Sequence, residues 1–170
     1  DYGLTVAQVL LTKYILIEDR RINVQNALER LIQQGVIPIV NENDTVAIDE
    51  LELEVGENDS LAATVASIAH ADLLIIMSDI DGLYDSDPRQ NEKAELIPVV
   101  EEITDEIRAL AGGAGTKLGT GGMITKINAA EIAVNSGIDM IILNGKNPDN
   151  LYYLFENGDL GTLFKAAKQS

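Results

Sequence analysis

Cysteine is missing from all 170 residues, so disulfides, thiolate zinc sites and a cysteine nucleophile are excluded. Tryptophan is also absent, and aromatic residues make up only 4% of the chain. The core must then be packed largely from aliphatic side chains, which suits an α/β chain in which 46% of residues are apolar. Basic residues are scarce, with 12 Lys and Arg against 28 Asp and Glu and a net charge of −16. A general nucleic-acid surface is excluded by that balance, because neutralising phosphates needs clusters of Lys and Arg. The acidic surplus reads as a solubility feature. Long apolar runs are lacking too. Stretches such as 73–77 fall far short of the roughly 20 residues that cross a bilayer, so no membrane partner is expected. Nothing reads as a signal peptide, and the expected compartment is the cytoplasm. The single histidine, His70, precedes Ala71-Asp72 at a helix end and reads as structural, which argues against His-based acid–base chemistry.

What is present has the order of an α/β domain, one domain over the whole length. The apolar run 6–11 predicts a buried strand. Val24, Ala27, Leu28, Leu31 and Ile32 form the stripe of an amphipathic helix over 23–34, which Gly35 is placed to end. A short strand over 36–40 follows. Residues 45–56 alternate, with Leu51, Leu53 and Val55 between glutamates, as in a half-exposed strand or hairpin. Asn58, Asp59 and Ser60 are good helix starters, and Leu61, Val65 and Ile68 continue that helix. Strands are further expected at 72–78, 96–100, 140–143 and 160–164, and helices at 104–110, 123–135 and 148–155. Alternation of this kind predicts a mainly parallel sheet with helices on both faces. Ligands in such sheets sit beyond the carboxyl ends of the strands. The loops 41–44, 78–79 and 116–122 are therefore where a site is expected.

Of the candidate motifs, the glycine-rich stretch 112–122 is the most informative. It leads into a helix, where free N–H groups and the positive dipole end suit phosphate oxygens. Lys126 lies one turn further on. The stretch is not a Walker A loop, and Leu118 stands where a dinucleotide fingerprint needs glycine. The acidic loop from Asp79 is not an EF-hand, since Met77 and Pro88 would occupy its first and last ligand positions. Asn41-Glu42-Asn43-Asp44 and Asn58-Asp59 read singly as turns or caps. Taken together at adjacent strand ends they could bind a zwitterion, accepting from its ammonium and donating to its carboxylate.

Five segments carry a resemblance. They are 40–46 (Val-Asn-Glu-Asn-Asp-Thr-Val), 56–63 (Gly-Glu-Asn-Asp-Ser-Leu-Ala-Ala), 78–84 with 87–89 (Ser-Asp-Ile-Asp-Gly-Leu-Tyr and Asp-Pro-Arg), 119–126 (Gly-Thr-Gly-Gly-Met-Ile-Thr-Lys) and 161–164 (Gly-Thr-Leu-Phe). On these segments the chain resembles the amino-acid kinase family, and within it the glutamate 5-kinases. The resemblance implies a three-layer αβα sandwich with a mainly parallel sheet. It implies transfer of phosphate from ATP, with Mg²⁺, to the side-chain carboxylate of L-glutamate, the first step of proline biosynthesis. Carried over residue by residue, it assigns Asp44 and Asn58 to glutamate. Ser78 and Asp79, with Thr120, Gly121, Gly122, Met123, Ile124, Thr125 and Lys126, are assigned to ATP. Lys126 would also stabilise the transferring phosphoryl group, and Asp59 would organise the catalytic lysines. No protein ligand set for a metal is expected, while proline as feedback inhibitor and a homo-oligomer are.

The chemistry fits the residue inventory. A glutamate carboxylate, with pKa about 4.3, is already an anionic nucleophile at neutral pH, so no general base is needed. The difficulty is bringing it onto an anionic γ-phosphate, which calls for cations and preorganised N–H donors. Two family features have no counterpart in these residues: an early strand with a Lys near Gly and Ser, and a Ser-Gly-Ala segment lining the glutamate site. The expectation is a kinase domain incomplete at its N-terminus, without the C-terminal RNA-binding-like domain of many relatives and inactive by itself. Acetylglutamate kinase, aspartokinase and a non-catalytic amino-acid-binding module stay open as alternatives.

Overall fold

The computed structural model describes residues 2–12, 18–43, 58–112, 121–158 and 160–166. Eleven elements follow one another among them. They are strand β1 (Val6–Leu11), helix α1 (Glu18–Gln33), β2 (Ile37–Glu42), α2 (Asn58–Ile68), β3 (Leu73–Ser78), β4 (Val99–Val100), α3 (Asp105–Gly112), α4 (Gly121–Asn135), β5 (Asp139–Asn144), α5 (Asn150–Asn157) and β6 (Thr162–Phe164). The alternating pattern predicted for 45–56 lies outside the described residues.

Pairing is mostly parallel, as the alternation of strands and helices predicts. β1 with β2, β3 with β5, and β4 with β6 run parallel, while β5 and β6 run antiparallel. The described strands divide into two sheets, β1-β2 and β3-β5-β6-β4, where the sequence suggests one. β5 is one of the two inner strands of the larger sheet, and its apolar run Met140–Leu143 is buried on both faces. Met140 and Ile142 turn toward one side, where Ile76, Phe164 and the alanines of α2 and α4 gather. Ile141 and Leu143 turn to the other, where Leu154 and Leu151 of α5 cover them. Period-two alternation on one strand thus produces three layers, helices on each side of the sheet.

The small side chains Ala63, Ala66, Ala129, Ala130 and Ala133 let α2 and α4 lie closely side by side. The opposite flank of α2 faces the smaller sheet. There Leu61, Val65 and Ile68 meet Leu11, Leu28 and Val40. A single helix therefore serves two cores.

Three differences from the sequence reading have plain causes. Strand β1 is not buried throughout: Val6 and Leu10 are exposed, as are Ile37 and Ile39 beside them, because only alternate residues turn toward α1 and α2. Strand β2 runs on through Asn41 and Glu42, since the ladder to β1 continues to Leu10↔Asn41 and Leu11↔Glu42. Helix α1 begins at Glu18 rather than near residue 23. Arg20 to Asn23 are exposed, and Ile22 among them breaks the apolar stripe that would mark these turns.

Three helices end in the same way. Gly35 and Gly137 take positive φ, 70° and 79°, and the next residue donates back to the carbonyl five before it, Val36 to Leu31 at 2.9 Å and Ile138 to Ala133 at 3.0 Å. This closes the orphan carbonyls of the last turn. At the end of α2 the place of the glycine is taken by His70, with φ 50°, and Ala71 donates to the Ala66 carbonyl at 3.0 Å. The structural reading of His70 thus has a specific form, a backbone turn.

Candidate functional site

Helices α2 and α4 lie together, and their first turns carry the residues with chemistry. Asp59 is the second residue of α2, where a carboxylate is favoured by the unpaired N–H groups and the helix dipole. Lys126 is one turn into α4. Although 67 residues apart in sequence, they meet: Lys126 Nζ lies 3.0 Å from Asp59 Oδ2 and also donates to the Gly122 carbonyl at 3.2 Å. Both side chains are largely shielded, 11% exposed for Lys126 and 21% for Asp59, so the pair is held in a partly dehydrated place. The Thr125 hydroxyl joins them, 2.8 Å from Asp59 Oδ2 and 3.0 Å from the Gly122 carbonyl.

The glycine-rich approach to α4 is described only from Gly121 onward; Thr120 lies outside the described residues, as does Asp44. Gly121 and Gly122 open the helix, so its first four N–H groups have no partner within it. A side chain at Gly122 would meet nothing within 4 Å among the described residues. Met123 and Ile124 send their side chains against the core, which leaves only their backbone N–H groups for a ligand. Asn58 is exposed at the first position of α2, beside Asp59.

A second cluster forms where β3 and β5 end. The Ser78 hydroxyl lies 3.2 Å from Asp79 Oδ1, and the Ser78 carbonyl accepts from Gly145 N–H at 2.7 Å. Asn144, the last residue of β5, donates its side-chain amide to Asp81 at 2.6 Å. Its side-chain oxygen accepts from Lys146 N–H at 2.9 Å, and its carbonyl from the Asn150 amide at 2.9 Å. Tyr84 donates its phenol to the other oxygen of Asp81 at 3.1 Å. Burial, then the Asp81 carboxylate, hold that phenol above its ordinary value of about 10.

The structure therefore brings Asp59, Thr125, Lys126 and the first turn of α4 together, with Asn58 adjacent. No hydrogen bond or ion pair among the described residues joins them to Ser78 and Asp79, which belong to the second cluster. Sequence reasoning names Asp81 only within the 78–84 segment and does not single out Asn144 or Lys146, which join this cluster in the structure. The signal was available in part. Asn144 ends β5 as Ser78 ends β3, in register as partners, and the carboxyl ends of parallel strands are where ligands bind.

Among the described residues no three His, Cys, Asp or Glu side chains stand close enough to hold a metal ion, and no helix is long and apolar enough to cross a membrane.

Known proteins share both sequence and fold with this chain. It is 52% identical over 171 residues to a glutamate 5-kinase of Clostridium perfringens and 54% identical to that of a Thermoanaerobacter species, in each case over 99% of its own length. It spans 64% of the first relative and 45% of the second. The T. acidophilum isopentenyl phosphate kinase superposes over 96% of this chain and 61% of its own, with a TM-score of 0.61 at 17% identity, a likeness of fold alone. The family model described as the amino acid kinase family matches residues 1–144, and with the alternating strands, the glycine-led helix and its lysine over that same stretch, the chain belongs to the amino acid kinase family.

Proposed function

We propose that the protein carrying this chain is an ATP-dependent kinase of the L-glutamate side-chain carboxylate. The observation that carries the reading is the Asp59–Lys126 pair at the first turn of α4, a cation beside N–H groups that have no partner within the helix. Names of relatives half identical over nearly the whole chain support the choice of glutamate.

In this reading the γ-phosphate of ATP lies at the first turn of α4, on the N–H groups of Gly121 to Ile124. A glutamate carboxylate oxygen attacks phosphorus, the bond to the β,γ-bridging oxygen breaks, and its electron pair leaves on ADP. The products are ADP and glutamyl 5-phosphate, and no proton has to move. Lys126 supplies positive charge where the three equatorial oxygens gather it, and Asp59 holds that ammonium in place. Mg²⁺ enters as the magnesium complex of the nucleotide, bringing further positive charge to the phosphates. Asn58, with Asp44, binds the amino-acid end of glutamate. Ser78 and Asp79 bind the nucleotide on the side of the larger sheet. The same reading places the enzyme in the cytoplasm, as a homo-oligomer, at the head of proline synthesis with proline as its feedback inhibitor.

The test is the full-length protein incubated with MgATP and hydroxylamine, which converts an acyl phosphate to a hydroxamate. Hydroxamate with glutamate, and little with N-acetylglutamate or aspartate, is the expected result. Preference for either of the others would assign the chain to another branch of the family. Glutamate binding in calorimetry without ADP release would make it a binding module.

A further inference from the structure

We propose that Thr125 is a positioning residue for Asp59, and through it for Lys126, and not a side-chain contact of the nucleotide; this rests on the phosphoryl-transfer reading above. Its hydroxyl is buried, with the residue 7% exposed. A hydroxyl has one proton and here two acceptors, Asp59 Oδ2 at 2.8 Å and the Gly122 carbonyl at 3.0 Å. The carboxylate is nearer and charged, so it takes the proton. Gly122 O also receives the Lys126 ammonium, at 3.2 Å.

Two consecutive residues of α4 thus converge on one oxygen of a residue from α2. Side chains one position apart on a helix point about 100° apart, so both reach Asp59 only because α2 lies directly against this turn. The long Lys126 chain has many rotamers and cannot alone fix the carboxylate. Thr125 has a single χ1 and branches at Cβ, so it can. With the Thr125 bond in place, Asp59 Oδ2 is a fixed point, and the ammonium held on it is fixed too. Without the bond, the carboxylate turns about χ2 and the ammonium follows it away from the transferring phosphoryl. A nucleotide oxygen could reach the Thr125 hydroxyl only by displacing it from this buried pairing.

The test uses the full-length protein with Thr125→Val, which keeps the shape and removes the hydroxyl, and Thr125→Ser, which keeps the hydroxyl. The valine variant is expected to lose roughly ten- to a hundredfold in kcat while KM for ATP stays within about twofold. Its Kd for MgADP by calorimetry is expected to match the wild type, and serine to restore kcat. A tenfold weaker MgADP affinity would overturn the proposal, because the hydroxyl would then touch nucleotide. Unchanged kcat in the valine variant, or a serine variant as slow as the valine one, would overturn it as well. If valine prevents folding, Thr125→Ala is read against serine in the same way. A wild-type protein without glutamate-dependent turnover would sink the functional reading, while MgADP affinity would still judge Thr125.

Discussion

The side-chain amide of Asn144 sits 2.6 Å from the Asp81 carboxylate and so ties together the loops that leave two neighbouring parallel strands, β3 and β5. The backbone repeats the link one residue on, Gly145 donating to Ser78 at 2.7 Å. Space at Gly145 is limited, since an added Cβ would stand 3.1 Å from the Met77 Cβ. Where the strands of the larger sheet end, the two loops are therefore one unit, and Ser78 and Asp79 are held from behind by residues more than sixty positions away.

Asn144→Asp replaces the donor with a second carboxylate facing Asp81. Asp81 is exposed, so water screens much of the repulsion, and a loss of about 1 kcal/mol at pH 7 is expected. Like charges hold a proton more tightly in the folded than in the unfolded chain, so the deficit should shrink as pH falls towards about 4. Urea denaturation of the variant and wild type at pH 7 and pH 4.5 measures this. A deficit that is the same at both pH values would show that the amide matters for shape and not for charge.

His70 stands where Gly35 and Gly137 stand in the other two helix ends. A left-handed backbone costs a residue with a Cβ about 1–2 kcal/mol, part of which glycine gives back through its freer unfolded chain. His70→Gly is expected to stabilise the protein by roughly 0.5–1 kcal/mol, read as a higher urea midpoint with unchanged slope. A lower midpoint would mean that the imidazole does something the backbone geometry does not account for.

Much of this architecture is visible in the residues, and the failures have causes. Val24 and Leu28 mark α1 because those side chains touch the core, whereas Arg20 to Asn23 are exposed and polar but for Ile22, with Arg21 reaching only the Ser67 hydroxyl, and leave no apolar mark. Val6, Leu10, Ile37 and Ile39 read as buried because apolarity reports a residue type and not a neighbour. At the site, Lys126 could be placed on a helix behind glycines from spacing alone. That Asp59 lies against it depends on α2 packing on α4 through alanines, which no local pattern expresses. The motif assigns Thr125 to nucleotide, and that its hydroxyl also meets Asp59 depends on the packing of the two helices.

Gly161 has φ 78°, and a Cβ there would come within 2.1 Å of the Ile142 carbonyl oxygen on β5. Backbone, not a flexible side-chain end, is in the way. The next residue, Thr162, is fully buried and bridges Leu83 N–H and the Ile97 carbonyl at 2.8 Å and 2.7 Å. Gly161→Ala must therefore shift either β5 or this bridge. A loss on the order of 3 kcal/mol is expected in equilibrium denaturation, well above the cost of the left-handed backbone alone. A loss under about 1 kcal/mol would mean that the strand end yields easily.

Lys126→Met separates charge from shape at the centre of the proposed mechanism. Methionine has similar reach and sits well in a helix, so α4 should persist and circular dichroism should be unchanged. Asp59 keeps the Thr125 hydroxyl and some exposure to water, which limits the cost of leaving it without its cation. What disappears is positive charge beside the first turn of α4, where the transferring phosphoryl gathers negative charge. Removing such a group costs about 10²–10³-fold or more in kcat. Steady-state kinetics on the full-length variant should show that loss, with KM for glutamate changed less than kcat, because the proposed mechanism gives the amino-acid end to Asn58 and Asp44 and not to Lys126. Lys126→Arg should recover little, since a planar guanidinium cannot meet Asp59 Oδ2 and the Gly122 carbonyl as the compact ammonium does. A methionine variant with near-normal kcat would remove Lys126 from the chemistry, and with it the role assigned to Asp59 and Thr125.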